Sequence, residues 1–309
     1  MIKRILNHKL LVNKPPVIID LGASGESYDI WSELYKYSIF LALDGEERKS
    51  IKNKYNFKKY FLVNRIIDSK KGIRNFYQTK SSFCSSVLKP SDNKTRKWFF
   101  YNQFKIVKKR KIHATTLNEI LKKRNINNID ILKIDLQGID LAVFKSIPKK
   151  IRKNIQFVDI EPSLYGFYDG ETNNVSETLK FMQKDFFIED ISFGKHIKGN
   201  IANIDNLNNL KKKLIHFNNK KSISYLNISF LRKFSKKDYN DRNLLIYICL
   251  LILKKRYTEI FDILKEKKSD DIIFSEIKTF CENKINNSLI KYILFLPINL
   301  YKKIINNFK

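Results

Sequence analysis

The sequence predicts an α/β protein: a doubly wound, seven-stranded, mostly parallel sheet of Rossmann-like type, followed by a C-terminal helical appendage. Three observations carry this. Apolar runs ending in an acidic residue recur at Val17 to Asp20, Phe40 to Asp44 and Ile131 to Asp135, as central parallel strands covered on both faces should. Helical periods separate those runs, the alternation that builds a parallel sheet. Beyond residue 233 the pattern becomes helical, with few glycines. The expected organisation is an arm over 1–14, an α/β domain over 15–233 and a helical appendage over 234–309.

The first strand opens the argument about chemistry. V-I-I-D-L-G-A-S-G, residues 17 to 25, is an apolar strand ending in Asp20 and then a glycine-bracketed turn. Gly22 and Gly25 allow a sharp turn and a close approach to a bound molecule. A helix over 26–37 would aim its unpaired N–H groups at that molecule. The spacing departs from the G-x-G-x-x-G of dinucleotide-binding turns, since Ser27 falls near the expected third glycine. Asp20 and Glu26 would repel a pyrophosphate yet tolerate a sulfonium and an amino group. The cofactor this favours is S-adenosylmethionine, bound by Asp20, Gly22, Ala23, Ser24 and Gly25. Asp44, ending the second strand, is placed to accept hydrogen bonds from ribose hydroxyls.

The remaining elements follow in order. Glu46 to Tyr55 predicts a short basic helix and Lys59 to Asp68 a third strand. Ile73 to Thr79 alternates as an exposed edge strand would. Residues 81–97 read as a loop of the length usual for a lid or binding segment, with Ser85 and Ser86 as candidate ligand contacts. Ile112 to Thr115 predicts a short strand, and Thr116 a cap for the helix after it. Ile131 to Leu136 is a buried strand whose end places Asp135 like Asp20 and Asp44. Ile155 to Pro162 is the next strand, carrying Asp159 and Glu161. After a helix over 175–183 come Asp185 to Ile191 and an alternating strand, Ser222 to Arg232, expected at the sheet's edge. The tail predicts helices over 243–254, 257–267, 272–283 and 288–308, the last broken by Pro297.

Composition narrows the partners. Lys and Arg outnumber Asp and Glu by 60 to 31, a formal charge of +29 that draws the chain toward polyanions. The lysines are spread along the whole chain and accompany abundant Asn and Ile, as an AT-rich coding bias would produce. Cys84, Cys249 and Cys281 are odd in number and far apart, which argues against a disulfide framework or a zinc site. The basic N-terminus has its apolar residues interrupted by Asn7, His8 and Lys9, so it lacks a signal-peptide core. Leu244 to Leu253 is about half the length that crosses a bilayer. The expected location is the cytoplasm. The basic tail helices offer a peripheral contact with anionic membrane, although docking within the protein is the favoured use of their apolar stripe.

The ordered motifs resemble the FkbM family of S-adenosylmethionine-dependent methyltransferases. They are I-D-L-G-A-S-G at 19–25, Asp44, S-S-F-C-S-S-V-L-K-P at 81–90, T-L-N-E-I-L at 116–121, D-I-L-K-I-D-L-Q-G-I-D at 130–140 and E-P-S-L-Y-G at 161–166. The resemblance spans roughly residues 15 to 233. It implies a class I methyltransferase fold, S-adenosylmethionine as cofactor and O-methylation, typically of a sugar hydroxyl in polysaccharide, glycolipid or natural-product assembly. The chain departs from the family at L-D-G-E-E, where members usually carry Glu-Pro, and at Glu26, where many have glycine.

Methyl transfer to a hydroxyl calls for a general base. Asp135 and Glu161, at neighbouring strand ends, are the first candidates and His113 the third. Asp135 has the alternative role of bonding the cofactor, and Lys133 and Gln137 read as positioning residues. The partner expected is a glycan or small-molecule acceptor, with no specific nucleic acid. Two rival readings stand beside it. One is an RNA methyltransferase, which suits the charge but lacks the D/N-P-P-Y/F/W motif of amino methylation and an aromatic-rich RNA module. The other is a non-catalytic polyanion-binding protein with the same fold.

Overall fold

The computed structural model describes residues 1–23, 29–45, 55–199, 207–235, 239–265, 267 and 271–294, with side chains through 287. The chain divides into two units, one comprising Pro16–Tyr28 and Ser38–Asp238, the other Met1–Pro15, Asp29–Tyr37 and Tyr239–Lys309.

The larger unit holds a seven-stranded sheet. Its strands are β1 (Val17–Leu21), β2 (Ile39–Asp44), β3 (Lys59–Asn64), β6 (Ile131–Ile134), β7 (Phe157–Ile160), β8 (Phe186–Ile197) and β9 (Lys221–Arg232), in the order β3-β2-β1-β6-β7-β9-β8. Two further strands, β4 (Gly72–Thr79) and β5 (Ile106–Ala114), pair antiparallel in a separate ribbon. β1 pairs in parallel with β2 on one side and β6 on the other, and β6 with β7. β9 runs antiparallel to both neighbours. The strand order reverses between β1 and β6, so the crevice beyond their carboxyl ends is where a ligand belongs in such a sheet. This is the class I methyltransferase topology.

Period-two alternation sorts each strand's residues between the two sheet faces. Ile19, Leu21, Leu41, Leu43, Leu132, Ile134, Val158 and Ile160 share one core with Leu117, Ile120 and Leu121 of the helix Leu117–Lys123 and with Val143 and Phe144 of the helix Asp140–Ser146. Thr116 caps the first of these helices as expected, its hydroxyl accepting from the Glu119 amide at 3.2 Å. The sheet's other face carries Ile18, Phe40, Ile131, Phe157 and Leu231, all buried.

Several expectations are corrected. The alternating strand β9 is not at the edge. It pairs with β7 over Phe157–Ile160, and β8 is the edge strand. Its alternation reflects Lys221 to Asn227, which pair with β8 alone. The run over 73–79 lies outside the main sheet because β5 is nine residues long and pairs with it throughout, whereas only its last few residues carry an obvious strand pattern. The segment 81–97 contains a 3₁₀ turn at Ser82–Cys84 and a helical turn at Asp92–Thr95. Residues 24–28 and 46–54 lie outside the described residues. Of the helix expected over 26–37, a 3₁₀ turn Asp29–Trp31 and a helix Ser32–Tyr35 are seen.

The smaller unit is helical. Residues 1–14, read as an arm, form the helices Ile2–Leu6 and Lys9–Asn13. The tail contributes Asp241–Leu253, Tyr257–Lys265 and Ile272–Leu294, the last running on where a break was expected near residue 284. The Arg242 guanidinium donates to the Lys14 and Pro15 carbonyls at 3.2 and 2.9 Å, and Arg4 pairs with Glu276 at 2.8 Å. Cys84, Cys249 and Cys281 are buried free thiols. Among the described residues, no helix is long and apolar enough to cross a membrane.

Candidate active site

Strand register builds the site. Leu43, Leu21, Ile134 and Ile160 are cross-strand neighbours on β2, β1, β6 and β7. The residues one step beyond them, Asp44, Gly22, Asp135 and Glu161, therefore form a row along the carboxyl edge. The ladder continues into this row, since the Gly22 amide donates to the Leu43 carbonyl at 2.8 Å and the Asp135 amide to the Leu21 carbonyl at 2.9 Å. Two residues back on the same face lies a second row, Asp20, Lys133, Asp159 and Ser229, each opposite the next. The Lys133 ammonium is 3.1 Å from Asp20 Oδ1, and the Ser229 hydroxyl donates to Asp159 Oδ1 at 3.1 Å.

That arrangement separates the two strand-end aspartates expected to serve the cofactor. Asp44 lines the crevice at the switch point, together with Gly22, Asp135 and Gln137. Asp20 does not line it. It is 3 % exposed and engaged by Lys133 beneath the row, because period two places residue 20 one layer below residue 22. Burial raises the Asp20 carboxyl above the usual carboxylate range, with Lys133 opposing the shift.

Gly22 is required for a reason beyond the one the motif suggested. Its φ is +80°, and a Cβ there would stand 1.9 Å from the Asp135 carbonyl oxygen. The β1 turn is thus packed against the backbone of the β6 turn before any ligand is considered. Ala23 is buried and its amide donates to the Leu43 carbonyl at 3.1 Å, without lining the crevice. Ser24 and Gly25 fall outside the described residues.

The K-I-D-L-Q-G-I-D motif folds into a tight loop that the sequence could place but not shape. Gln137 and Gly138 both have positive φ, +55° and +107°. Asp140 holds this turn from inside, its carboxyl accepting the Leu136 amide at 3.1 Å and the Gly138 amide at 3.2 Å. Complete burial, then the charge of Asp135, pushes the Asp140 carboxyl up to about 8. Asn173 ties the loop to the next strand, accepting from the Leu141 amide at 3.1 Å and donating to the Glu161 carbonyl at 2.6 Å. Nothing in the sequence singled out Asn173.

Gln137 stands between two cavities. The crevice beside Asp44 is lined by Asp135, Gln137, Phe76, Ile66, Ile67 and Val87, among others. A second cavity is lined by Gln137, Glu161, Ser163, Tyr168, Ser224 and Tyr225, among others. The Gln137 amide donates to Asp135 Oδ1 at 2.6 Å. The Tyr168 hydroxyl lies 2.8 Å from Gln137 Oε1 and 2.9 Å from the Cys84 carbonyl, its one hydrogen shared between two acceptors. Burial holds the Tyr168 phenol well above its usual range, so it remains a donor. Burial, followed by the charges of Asp135 and Asp140, likewise holds the Glu161 carboxyl well above the carboxylate range, and Lys133 opposes this.

The remaining candidates separate. Ser85 and Ser86 do line the crevice, but their hydroxyls serve the backbone: Ser85 Oγ accepts from the Thr79 amide at 3.2 Å, and Ser86 Oγ donates to the Gln137 carbonyl at 2.8 Å. His113, the third base candidate, is not brought to the row. It lies exposed on the β4–β5 ribbon opposite Ile73 and lines neither cavity. A histidine in an alternating stretch has no signal for which sheet it joins, and here β5 pairs away from the main one.

The groups lining the crevice fit S-adenosylmethionine. A buried carboxylate at the β2 tip suits ribose hydroxyls, apolar walls suit a purine, and clustered carboxylates favour a cation. The fold and this site define a class I methyltransferase. Residues 39–188, just under half of the chain, match the methyltransferase FkbM domain model, and the protein is a methyltransferase with S-adenosylmethionine as its cofactor. No curated protein matches the chain. Among solved structures, M. capricolum TrmK in complex with S-adenosyl-homocysteine is similar at 14 % identity and a TM-score of 0.31, covering 93 % of this chain and 95 % of that one, a likeness too loose to carry any residue across.

Proposed function

We propose that the protein transfers a methyl group from S-adenosylmethionine to a sugar hydroxyl of a polysaccharide, glycolipid or related metabolite. The observation that carries this reading is the pair of cavities meeting at Gln137, with Asp44 and Asp135 in the first and Glu161 in the second. Asp44 accepts from the ribose hydroxyls, and Asp135 holds the cofactor at the cavity junction. The second cavity combines carboxylate, hydroxyl and aromatic groups, a lining that suits a polyol with apolar C–H faces.

The cofactor supplies an electrophilic methyl on a sulfonium. The chain's residues hold donor and acceptor in line and exclude water, and positioning of this kind lowers a barrier by roughly 7–11 kcal/mol. Glu161 would take the proton that the acceptor hydroxyl gives up as its oxygen is methylated. A carboxyl held above its usual range is a better proton acceptor for this step. Gln137, fixed by Asp135 and Tyr168, orients the junction without taking a proton.

An RNA acceptor is the second reading, favoured by the exposed run Lys108, Lys109, Arg110 and Lys111 on β5. Incubation with radiolabelled cofactor and either a glycan fraction or total RNA separates the two. Label entering carbohydrate supports the sugar reading. Label entering RNA, with affinity falling steeply as salt rises, supports the second.

A further inference from the structure

The helix Asn209–Asn218, in the connection between β8 and β9, is built with its apolar stripe facing away from the protein. Its start is fixed by Asn208, whose side chain accepts from the Lys211 amide at 2.8 Å. Not one of its ten residues is buried. At 100° per residue, Leu210, Leu214 and Phe217 fall within a narrow sector, and they are 65, 50 and 87 % exposed. Lys212, Ile215 and His216 occupy the opposite side. Lys212 and Ile215 are the helix's half-buried residues, and the His216 ring meets Phe99 at 4.9 Å between centroids. The apolar sector is thus the outer one, with Lys211 and Lys213 on its two flanks.

Charge selects the occupant. From Leu207 to Ile228 the chain carries Lys211, Lys212, Lys213, Lys220 and Lys221 and no acidic residue. A second copy of the same surface would bring these lysines against each other, and a basic partner would fare no better. A phospholipid surface of net negative charge offers both a medium for three apolar side chains and counter-charge for the lysines. We propose that this helix is an interfacial anchor that docks the protein on anionic membrane. The site reading above gains a substrate class from it: β9, which follows the helix, carries Ser224 and Tyr225 of the second cavity, so a membrane-held acceptor such as a glycolipid would be presented beside the base. The anchor itself does not depend on that reading and is tested without turnover.

The test is co-sedimentation of the full chain with vesicles of one part phosphatidylglycerol to two parts phosphatidylcholine, and with pure phosphatidylcholine. The triple variant Leu210→Ser, Leu214→Ser, Phe217→Ser is run beside it, with circular dichroism to verify folding. These side chains are exposed, so the variant should fold normally. The proposal expects binding to the anionic vesicles that weakens in high salt, little binding to the neutral ones, and a loss of roughly a hundredfold or more in the triple variant. A second variant, Lys211→Glu with Lys213→Glu, should lose anionic binding too. Absence of wild-type binding would overturn the proposal. Equal binding by the triple variant would overturn it too, by placing the contact elsewhere, the tail helices included. A concentration-dependent dimer in sedimentation velocity that the triple variant abolishes would show that a second copy covers the face. A failed methyl-transfer assay would leave vesicle binding intact, so the two readings fail separately.

Discussion

Lys133 and Asp20 face each other across the β1–β6 ladder with Nζ 3.1 Å from Oδ1, and their side chains are only 11 and 4 % exposed. Asp159 is the buried register partner of Lys133 on the other side, so Lys133 lies between two buried acidic residues in the layer beneath the carboxylate row of the site. Such a pair contributes little net stability, but losing one partner strands a charge in the sheet. Lys133→Met should therefore destabilise the fold by about 3–5 kcal/mol, read as a lowered urea midpoint. The double variant Lys133→Met, Asp20→Asn should recover much of that loss. Equal destabilisation in both would show that the pair is not what holds the layer.

At Gly22 the neighbouring backbone leaves no room. Gly22→Ala places a methyl 1.9 Å from the Asp135 carbonyl at a φ of +80°, so the β1 and β6 turns must part. Destabilisation of about 2 kcal/mol or more is expected in thermal or urea unfolding even without cofactor. A variant of wild-type stability that merely fails to bind S-adenosylmethionine would return Gly22 to the role of a ligand-clearing glycine.

Asp140 should give the protein a pH-dependent stability. In the unfolded chain its carboxyl titrates near 3.8, and in the fold it is pushed up to about 8. Between those values the folded state holds a proton that the unfolded state has lost, so stability falls as pH rises across that window and is level outside it. The slope of one such group is on the order of 1.4 kcal/mol per pH unit. Asp140→Asn should flatten the decline, seen by comparing urea midpoints near pH 5 and pH 8.

Asp44→Ala should weaken cofactor binding by about 1–3 kcal/mol while leaving the circular dichroism unchanged. Isothermal calorimetry with S-adenosylmethionine checks it. An unaltered Kd would remove Asp44 from the cofactor site.

Glu161→Gln should reduce kcat by about 10²–10⁴-fold with little change in the Kd for S-adenosylmethionine. Because a base works when deprotonated and this carboxyl is held above its usual range, wild-type kcat/KM should rise with pH along a limb above ordinary carboxylate titration. The variant should lack that limb. If activity survives, Asp135 becomes the remaining base candidate.

Much of this molecule was written in local sequence. Apolar runs ending in acids located β1, β2, β6 and β7, because central parallel strands need apolar residues on both faces. Thr116 marked its helix start through its own hydroxyl. Asp44 and Asp135 were readable as residues at the carboxyl edge, where they line the crevice, because they lie just where those runs stop. The tertiary structure alone decided which carboxylates reach the crevice. Asp20 looked like Asp44 until register put it opposite Lys133, one layer down. His113 looked usable until β5 paired with β4 and carried it away. Asn173 and Tyr168 act across more than thirty residues of chain from the loop they hold, and Gly22 proved to make room for backbone. Spacing along a chain reports period and turn chemistry. Which face of which strand meets which neighbour is set by pairing between distant segments, and no local pattern encodes it.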